Sequence, residues 1–329
     1  MSGPGAPSRH PAAPPPGPTL REAVAGAARE LAAAGVESAR LEAERLVALA
    51  AGLERATLAL RGAERLGPHE ARTLARAIAR RSRGEPLQHI EGEAAFRGLV
   101  LVADGRALVP RPETEELVEA VIHWARGRRP AGESSASGPA AAAGRARPVP
   151  RPGGDPPLAC VLDIGTGSGA IALSLVAEGI TERVVGVDRA PEALAQAAEN
   201  RARLGLDGAV ELRPCGSDPY GALDRAERFD AIVSNPPYVT TSELAGLSRE
   251  VRDHDPAAAL DGGADGLDVI RCIAAGAPGR LRPGGALFLE IGDRQGPAVH
   301  ALLENAGAFA RVEIRRDLAG RTRFALAFT

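Results

Sequence analysis

With 329 residues, the chain is long enough for two domains or for one domain with additions. A hydrophobic content of 44% and a charged content of 25% are typical of a water-soluble globular protein. The formal net charge of −2 argues against a protein that grips nucleic acid through its phosphates, so we expect no direct nucleic-acid binding.

Residues 1–18 are rich in Pro, Gly and Ala and are predicted to form a disordered extension. They lack the apolar stretch of a signal peptide, and no run of about 18 apolar residues predicts a membrane span. Three cysteines lie far apart, with neither a CxxC pair nor a histidine at metal-ligand spacing: Cys160, Cys215 and Cys272. We therefore expect a cytoplasmic protein without membrane contact or a metal ion.

Residues 19–83 show apolar residues at helical spacing and predict a small helical domain. Thr19 followed by Glu22 predicts a capping box at the start of its first helix. Breaks are expected near Gly35 and Gly67. The domain is too small to be the catalytic body.

Residues 84–125 predict a β-hairpin followed by a connecting helix. We expect the hairpin turn to contain Asp104 and Gly105, because Asp-Gly favours tight turns. Pro112 predicts the start of the helix, and its first turn is acidic, with Glu113, Glu115 and Glu116.

Residues 126–157 are of low complexity and predict a flexible surface insertion. From residue 158 to 329, strands and helices alternate, which predicts a mainly parallel sheet covered by helices. Only DLAGR separates the last two strands, and a turn that short requires them to pair antiparallel. The predicted fold class is therefore α/β, with a helical domain and a hairpin ahead of the sheet.

A glycine-rich turn joins the first strand of that sheet to the first helix, in VLDIGTGSGAIAL (161–173). Gly165, Gly167 and Gly169 permit positive φ angles and let a ligand approach the backbone closely. The next strand ends at Asp188, where a carboxylate can accept hydrogen bonds from ribose hydroxyls. The spacing is DxGxGxG rather than GxGxxG, and Asp163 can face an amino group. S-adenosylmethionine therefore fits this loop better than NAD.

A second motif, Asn235-Pro236-Pro237-Tyr238, follows another apolar strand. The two prolines fix φ and lack N–H groups, so the chain must leave the strand in a stiff turn. The Asn235 side-chain oxygen and the Pro236 carbonyl are acceptors for the two N–H bonds of a substrate amide or amine. Tyr238 can pack against a planar substrate group. We predict that this turn holds a nitrogen that is to be methylated.

DIGTGSG and VDRAPEAL resemble the class I S-adenosylmethionine-dependent methyltransferases, and NPPY resembles those that methylate planar nitrogens. Further stretches resemble the N5-glutamine methyltransferases of class I peptide chain release factors, the HemK-like or PrmC family. They are PLQHIEGEAAFRGL (86–99), LVPRPETEELVE (108–119), VRDHDPAAALDGGADGLDVI (251–270), ALFLEIGDRQG (286–296) and DLAGRTRFALA (317–327). The similarity runs from about residue 20 to the C-terminus.

The resemblance implies a Rossmann-like methyltransferase domain over residues 158–329 that methylates the glutamine of a Gly-Gly-Gln motif. It also implies that the helical domain over residues 19–83 contributes to recognition of the release factor. It implies cofactor binding by the glycine loop, by the acid after the second strand, by the turn asparagine and by a later acidic segment. The corresponding residues are Asp163, Gly165, Thr166, Gly167, Ser168, Gly169, Asp188, Asp218, Tyr220 and Asn235. Catalysis is assigned to Asn235, Pro236 and Tyr238, and substrate binding to these three and Pro237. Where the family often has an aromatic residue beside the acid near the adenine, this chain has Pro219.

Other interpretations stay open at this point. A methyltransferase that modifies a ribosomal-protein glutamine would share these motifs, and an N6-adenine methyltransferase of DNA or RNA also uses NPPY. A scaffold that binds the cofactor without methyl transfer is a third alternative. Glu290 and Arg111 fit a structural role as well as a place in the site. The expected partner is a class I release factor, and the expected state is a monomer.

Overall fold

The computed structural model describes residues 17–128 and 156–329. The chain divides into two compact units, one that ends at Ile90 and one that begins at Glu91. Most of the predicted N-terminal extension and most of the predicted insertion lie outside the described residues. No helix in the described parts of the chain is long and apolar enough to cross a membrane.

The first unit is helical, as the sequence predicts. Thr19 caps the first helix: its Oγ1 accepts from the Glu22 N–H at 3.2 Å, and the Glu22 carboxylate accepts from the Thr19 N–H at 2.8 Å. This confirms the predicted capping box, a feature that contributes about 1 kcal/mol in general. The helices are α1 (Leu20–Ala33), α2 (Ala39–Ala51), α3 (Pro68–Ser82) and α4 (Leu87–Glu91), the last of which crosses the division.

A hairpin of two strands, β1 (Glu93–Phe96) and β2 (Leu99–Val102), opens the second unit. Its turn is formed by Arg97 and Gly98, with φ of 45° and 77°, so the prediction of a turn at Asp104 and Gly105 was wrong. The Arg97 guanidinium donates to Glu178 at 2.6 Å, and its backbone N–H donates to Glu115 at 3.2 Å. Asp104 lies beyond the hairpin, where its carboxylate accepts from the Arg106 N–H.

The main sheet has seven strands, in the order β5-β4-β3-β6-β7-β9-β8. The first five strands of that order are parallel, and β9 pairs antiparallel with both β7 and β8. The predicted fold class and the antiparallel pairing of the last two strands are both confirmed. The strands are β3 (Leu158–Ile164), β4 (Thr181–Asp188), β5 (Val210–Pro214), β6 (Phe229–Ser234), β7 (Leu281–Glu290), β8 (Arg311–Arg316) and β9 (Thr322–Phe328).

Helices bury both faces of this sheet. Successive residues of β3 point to opposite sides, so that Val161 enters one apolar core and Leu162 the other. Both faces are therefore apolar, which explains why the central strands read as continuous hydrophobic runs. The helices of this unit are α5 (Pro112–Gly127), α6 (Ala170–Ala177), α7 (Pro191–Leu204), α8 (Arg249–His254), α9 (Asp268–Gly276) and α10 (Gly296–Asn305).

The strand register aligns the ends of the three central strands. Ile164 of β3 pairs with Val187 of β4 on one side and with Ser234 of β6 on the other. The glycine loop, Asp188 and Asn235 each follow one of these residues directly. Since all three strands are parallel, these groups emerge at one edge of the sheet, where open α/β sheets bind their ligands.

Candidate active site

The glycine loop is fastened to the end of β4. The N–H groups of Gly165 and Thr166 both donate to the Val187 carbonyl, at 2.8 and 3.0 Å. The Gly167 N–H donates to the Asp188 carboxylate at 2.9 Å. Gly165 and Gly167 have φ of 70° and 56°, which is the left-handed region that glycine adopts without strain. The loop therefore has a fixed shape before any ligand arrives.

The end of the loop starts helix α6. Gly169 has a φ of 84°, and a Cβ at this position would lie 2.9 Å from the Leu173 Cδ1 atom. Ser168 is buried, and its carbonyl accepts from the Asn200 side chain of α7 at 3.0 Å. Ser168 thus orders the loop through its backbone, which the sequence did not reveal.

Asp163 lies behind the loop. Its carboxylate is fully buried, and Oδ2 accepts from the Thr166 hydroxyl at 2.7 Å and from the Ala172 N–H at 3.2 Å. Burial raises the pKa of Asp163 to about 7, against the lowering effect of these two hydrogen bonds. The arrangement joins β3, the loop and α6, and direct contact of Asp163 with a ligand stays a prediction.

A pocket, here called the glycine-loop pocket, opens at this edge of the sheet. Its wall combines loop backbone with small apolar side chains, one carboxylate and the three arginines Arg106, Arg111 and Arg189. Residues that line it include Ile164, Gly165, Thr166, Gly167, Ser168, Asp188, Ala193, Cys215, Pro219, Asn235 and Pro237. The structure thus brings together most of the residues that the sequence assigned to cofactor binding.

Four of the assigned residues do not line this pocket: Asp163, Gly169, Asp218 and Tyr220. Tyr220 is buried in the core, where its hydroxyl donates to the Ile273 carbonyl at 2.8 Å. Asp218 accepts from the Tyr220 N–H at 2.9 Å and so shapes the turn. Between them, Pro219 faces the glycine-loop pocket. The Tyr220 ring packs in the core against Gly276 of α9, and its contact with the cofactor stays a prediction.

The NPPY turn lies beside a second pocket, here called the NPPY pocket. Residues that line it include Leu108, Arg111, Asn235, Tyr238, Thr240, Glu243, Asp265, Gln295 and Arg323. Leu108, Arg111, Asn235 and Ala259 line both pockets. Asn235 therefore lies at the boundary between two adjacent cavities. Pro236 is buried beneath it, and Pro237 faces the glycine-loop pocket.

A chain of hydrogen bonds runs behind Asn235. Its Nδ2 donates to the Thr114 hydroxyl at 3.0 Å, and that hydroxyl donates to Glu290 at 2.8 Å. The other Glu290 oxygen accepts from the Tyr238 hydroxyl at 3.3 Å, which in turn accepts from Arg323 at 3.3 Å. Glu290, left open by the sequence, thus belongs to the site. Thr114 was missed, although it lies inside LVPRPETEELVE.

Burial dominates the titration of this cluster. It raises the pKa of Glu290 to about 7, while Thr114 and Arg323 act in the opposite direction. Burial and the neighbouring Glu290 raise the pKa of Tyr238 to about 12. Tyr238 is therefore a neutral hydrogen-bonding group near neutral pH.

Arg111 ties the start of α5 to the segment that follows α8. Its guanidinium lies 2.5 Å from the buried Asp255 carboxylate. Burial raises the pKa of Asp255, and Arg111 opposes that effect. Pro256, Ala258 and Ala259, just beyond Asp255, line the glycine-loop pocket. The ion pair therefore holds one wall of that pocket in place.

Within the described residues, no group of His, Cys, Asp and Glu side chains is arranged to hold a metal ion.

Comparisons with known proteins agree with this architecture. Residues 22–92 match the PrmC N-terminal domain, and residues 161–254 match a methyltransferase domain. A release factor glutamine methyltransferase of Cereibacter sphaeroides is 41% identical over 93% of this chain and 97% of its own length. Those of Moorella thermoacetica and Deinococcus radiodurans are 42% and 41% identical, each over 94% of this chain and 98% of their own length.

The Rossmann-like sheet, the glycine loop at its carboxyl edge and the matching domain define a methyltransferase. The identity to the relatives over nearly the whole length of both chains is more specific. The chain belongs to the release factor glutamine methyltransferase family.

Proposed function

We propose that this protein transfers a methyl group from S-adenosylmethionine to the side-chain amide nitrogen (N5) of the Gly-Gly-Gln glutamine in class I peptide chain release factors. The observation that carries the proposal is the position of Asn235 on the wall of both pockets. A methyl donor in one cavity and an amide in the other would meet at this side chain.

The glycine-loop pocket fits the cofactor. Gly165 and Gly167 carry no side chain toward the ligand, and Asp188 stands where ribose hydroxyls are usually bound. The Asp188 oxygens already accept from the Gly167 and Ala190 N–H groups, yet each carboxylate oxygen can accept a further hydrogen bond. The Pro219 ring offers a flat apolar contact for the adenine in place of the aromatic residue of the family pattern. When bound, the cofactor supplies an electrophilic methyl group on a sulfonium.

The NPPY turn is suited to hold the acceptor amide. The Asn235 Nδ2 is engaged by Thr114, so its Oδ1 is turned away from that contact and can accept from a substrate N–H. The Pro236 carbonyl can accept the second N–H. Because an amide nitrogen is a poor nucleophile, orientation and stabilisation of the developing positive charge must supply much of the rate. In this proposal, two acceptors bound to one NH₂ group serve both purposes.

Activity on a translation factor places the proposed reaction in the cytoplasm, with the release factor as the protein partner. The helical first unit, which matches the PrmC N-terminal domain, is the proposed recognition domain. A ribosomal-protein glutamine and an adenine N6 amine are competing acceptors for the same turn, and the experiment below includes both.

The test is incubation of the protein with methyl-labelled S-adenosylmethionine and a purified class I release factor, with ribosomal protein and nucleic acid offered in parallel reactions. Mass spectrometry of the Gly-Gly-Gln peptide and of the other two acceptors locates the label. One added methyl on the glutamine is the expected result. A release factor with that glutamine replaced by alanine is the matched control and should remain unlabelled. Label on ribosomal protein or nucleic acid instead would support the proposed methyl transfer but show that the release factor is not the substrate.

A further inference from the structure

We propose that Thr114 and Glu290 are positioning residues that fix which way the Asn235 side-chain amide faces the substrate nitrogen. The inference rests on the proposed function, because it concerns how the acceptor amide is held. Thr114 lines the glycine-loop pocket, and Glu290 is buried behind it. Both act through Asn235.

The need for such a device follows from the chemistry of an asparagine. Its two ends, a carbonyl oxygen and an NH₂ group, have almost the same size, so shape alone does not select one orientation. An amide that is to be methylated presents N–H donors, and it needs the oxygen of Asn235. With the Asn235 side chain turned over, its NH₂ group would face the N–H donors of the substrate amide, and no hydrogen bond could form between them.

The hydrogen-bond chain selects the orientation because its members have fixed polarity. A guanidinium only donates, and an ionised carboxylate only accepts. Arg323 donates to the Tyr238 hydroxyl, which leaves the hydroxyl proton for Glu290. On the other side, the Thr114 hydroxyl must donate to Glu290, which leaves its lone pairs for the Asn235 NH₂ group. Asn235 Oδ1 is thereby the end presented to the substrate.

Burial makes this selection effective. Thr114 and Glu290 are 5% and 1% exposed, so water cannot readily replace either partner. A wrongly turned Asn235 would leave a buried donor facing a donor, a large penalty in a region of low dielectric. The chain also joins separate elements, since Thr114 belongs to α5, Glu290 ends β7 and Arg323 lies in β9.

The polarity depends on Glu290 being ionised. The groups that face this carboxyl are Thr114 and Glu113 from α5, Tyr238 from the NPPY turn and Arg323 from β9. Burial and Glu113 favour the protonated form, while the other three favour the ionised form. A protonated Glu290 can itself donate to Thr114, which would free the hydroxyl proton to point at Asn235 and reverse the amide.

The kinetic test compares Thr114→Val, Thr114→Ser and Glu290→Gln on the full-length protein with a release factor. We expect kcat to fall roughly ten- to a hundredfold in Thr114→Val and Glu290→Gln, with the cofactor Kd within about threefold of wild type. Thr114→Ser should restore most of the activity, because it keeps the hydroxyl. Thr181→Val, which removes another buried hydroxyl at the far end of β4, is the control and should leave kcat unchanged.

Two further results separate positioning from general damage. In an Asn235→Ala background, Thr114→Val should cause no additional loss, since both act through the same amide. The wild-type kcat should rise with pH through about 7, and this rise should be absent in Glu290→Gln. A full additional loss in the double variant, or normal turnover of Thr114→Val, would overturn the inference.

A measurement without substrate keeps the inference separate from the proposed function. The Asn235 side-chain NH₂ signals in a ¹⁵N spectrum can be assigned as those missing from Asn235→Ala. We expect them to shift in Thr114→Val and to titrate with Glu290 in the wild type. Unchanged signals would refute the positioning role, even if release factors are methylated. Changed signals in a protein that fails to methylate release factors would refute only the substrate.

Discussion

The Gly167 N–H donates to the Asp188 carboxylate at 2.9 Å, so the loop after β3 and the acid at the end of β4 form one unit. The other Asp188 oxygen accepts from the Ala190 N–H at the start of α7, also at 2.9 Å. A single carboxylate therefore orders two turns that border the glycine-loop pocket. Its role in cofactor binding includes the shape of the site as well as any direct contact.

Replacement of Asp188 by Asn should weaken cofactor binding about tenfold or more. Asparagine has one acceptor oxygen, so one of the two backbone N–H groups would face an NH₂ group instead. Isothermal titration with S-adenosylmethionine measures the effect. Asp207→Asn, at an exposed turn after α7, is the matched control and should bind like wild type. Equal affinities for Asp188→Asn and Asp207→Asn would contradict the assignment.

Replacement of Asn235 by Ala should abolish most turnover while leaving the cofactor in place. Loss of one acceptor at the reacting nitrogen is expected to lower kcat about a hundredfold or more, and to change the cofactor Kd by less than about threefold. Methyl transfer to the release factor and calorimetry measure the two quantities separately. Asn305→Ala, exposed at the end of α10, is the control. Normal turnover in Asn235→Ala would mean that Asn235 does not hold the substrate amide.

The parts of the fold that sequence predicts well are those with local causes. Periodicity and short connections determine the helices, the parallel strands and the antiparallel end of the sheet. The hairpin turn failed for a reason outside local propensity. Asp104 and Gly105 have the favoured composition, but the chain turns at Arg97 and Gly98, where the Arg97 side chain contacts carboxylates distant in sequence.

In the candidate site too, contacts between residues distant in sequence could not be predicted from local patterns. Gly165, Asp188 and Asn235 follow strand ends, so their common location can be predicted from topology alone. Thr114 and Glu290 come from separate elements, and only the packing of α5 against β7 brings them together. The pattern match around Tyr220 did not indicate that its ring would point into the core, because the direction of a side chain in a turn depends on tertiary packing.

The Arg111 and Asp255 pair should behave as a coupled unit. Arg111→Met leaves a buried carboxylate without its cation, so we expect the second unit to lose about 1–3 kcal/mol of unfolding free energy. Asp255→Asn in the same chain should recover part of that loss. Urea unfolding can be followed by Trp124, the single tryptophan, which packs against Phe288 at 5.4 Å between ring centroids. Strictly additive losses would show that the pair is not coupled.

Asp163 should make stability depend on pH in a direction opposite to that of most carboxylates. Burial raises its pKa to about 7 in the folded protein, against an ordinary value of 3.8 for an exposed aspartate. Between these values the folded state binds the proton more tightly than the unfolded state. The resulting stabilisation is fully present below the lower value and is lost as the pH rises through about 7.

Asp163→Asn removes this titration. Relative to wild type, the variant should therefore gain unfolding free energy between pH 5 and pH 8, on the order of 2 kcal/mol. Urea unfolding at both pH values, followed by Trp124 fluorescence, measures the difference. Groups that titrate in both proteins cancel in this comparison, and Asp207→Asn controls for the loss of one surface charge. Parallel pH dependence of wild type and Asp163→Asn would show that the buried carboxyl stays ionised across this range, and that the loop is then held by a charge rather than by a neutral acid.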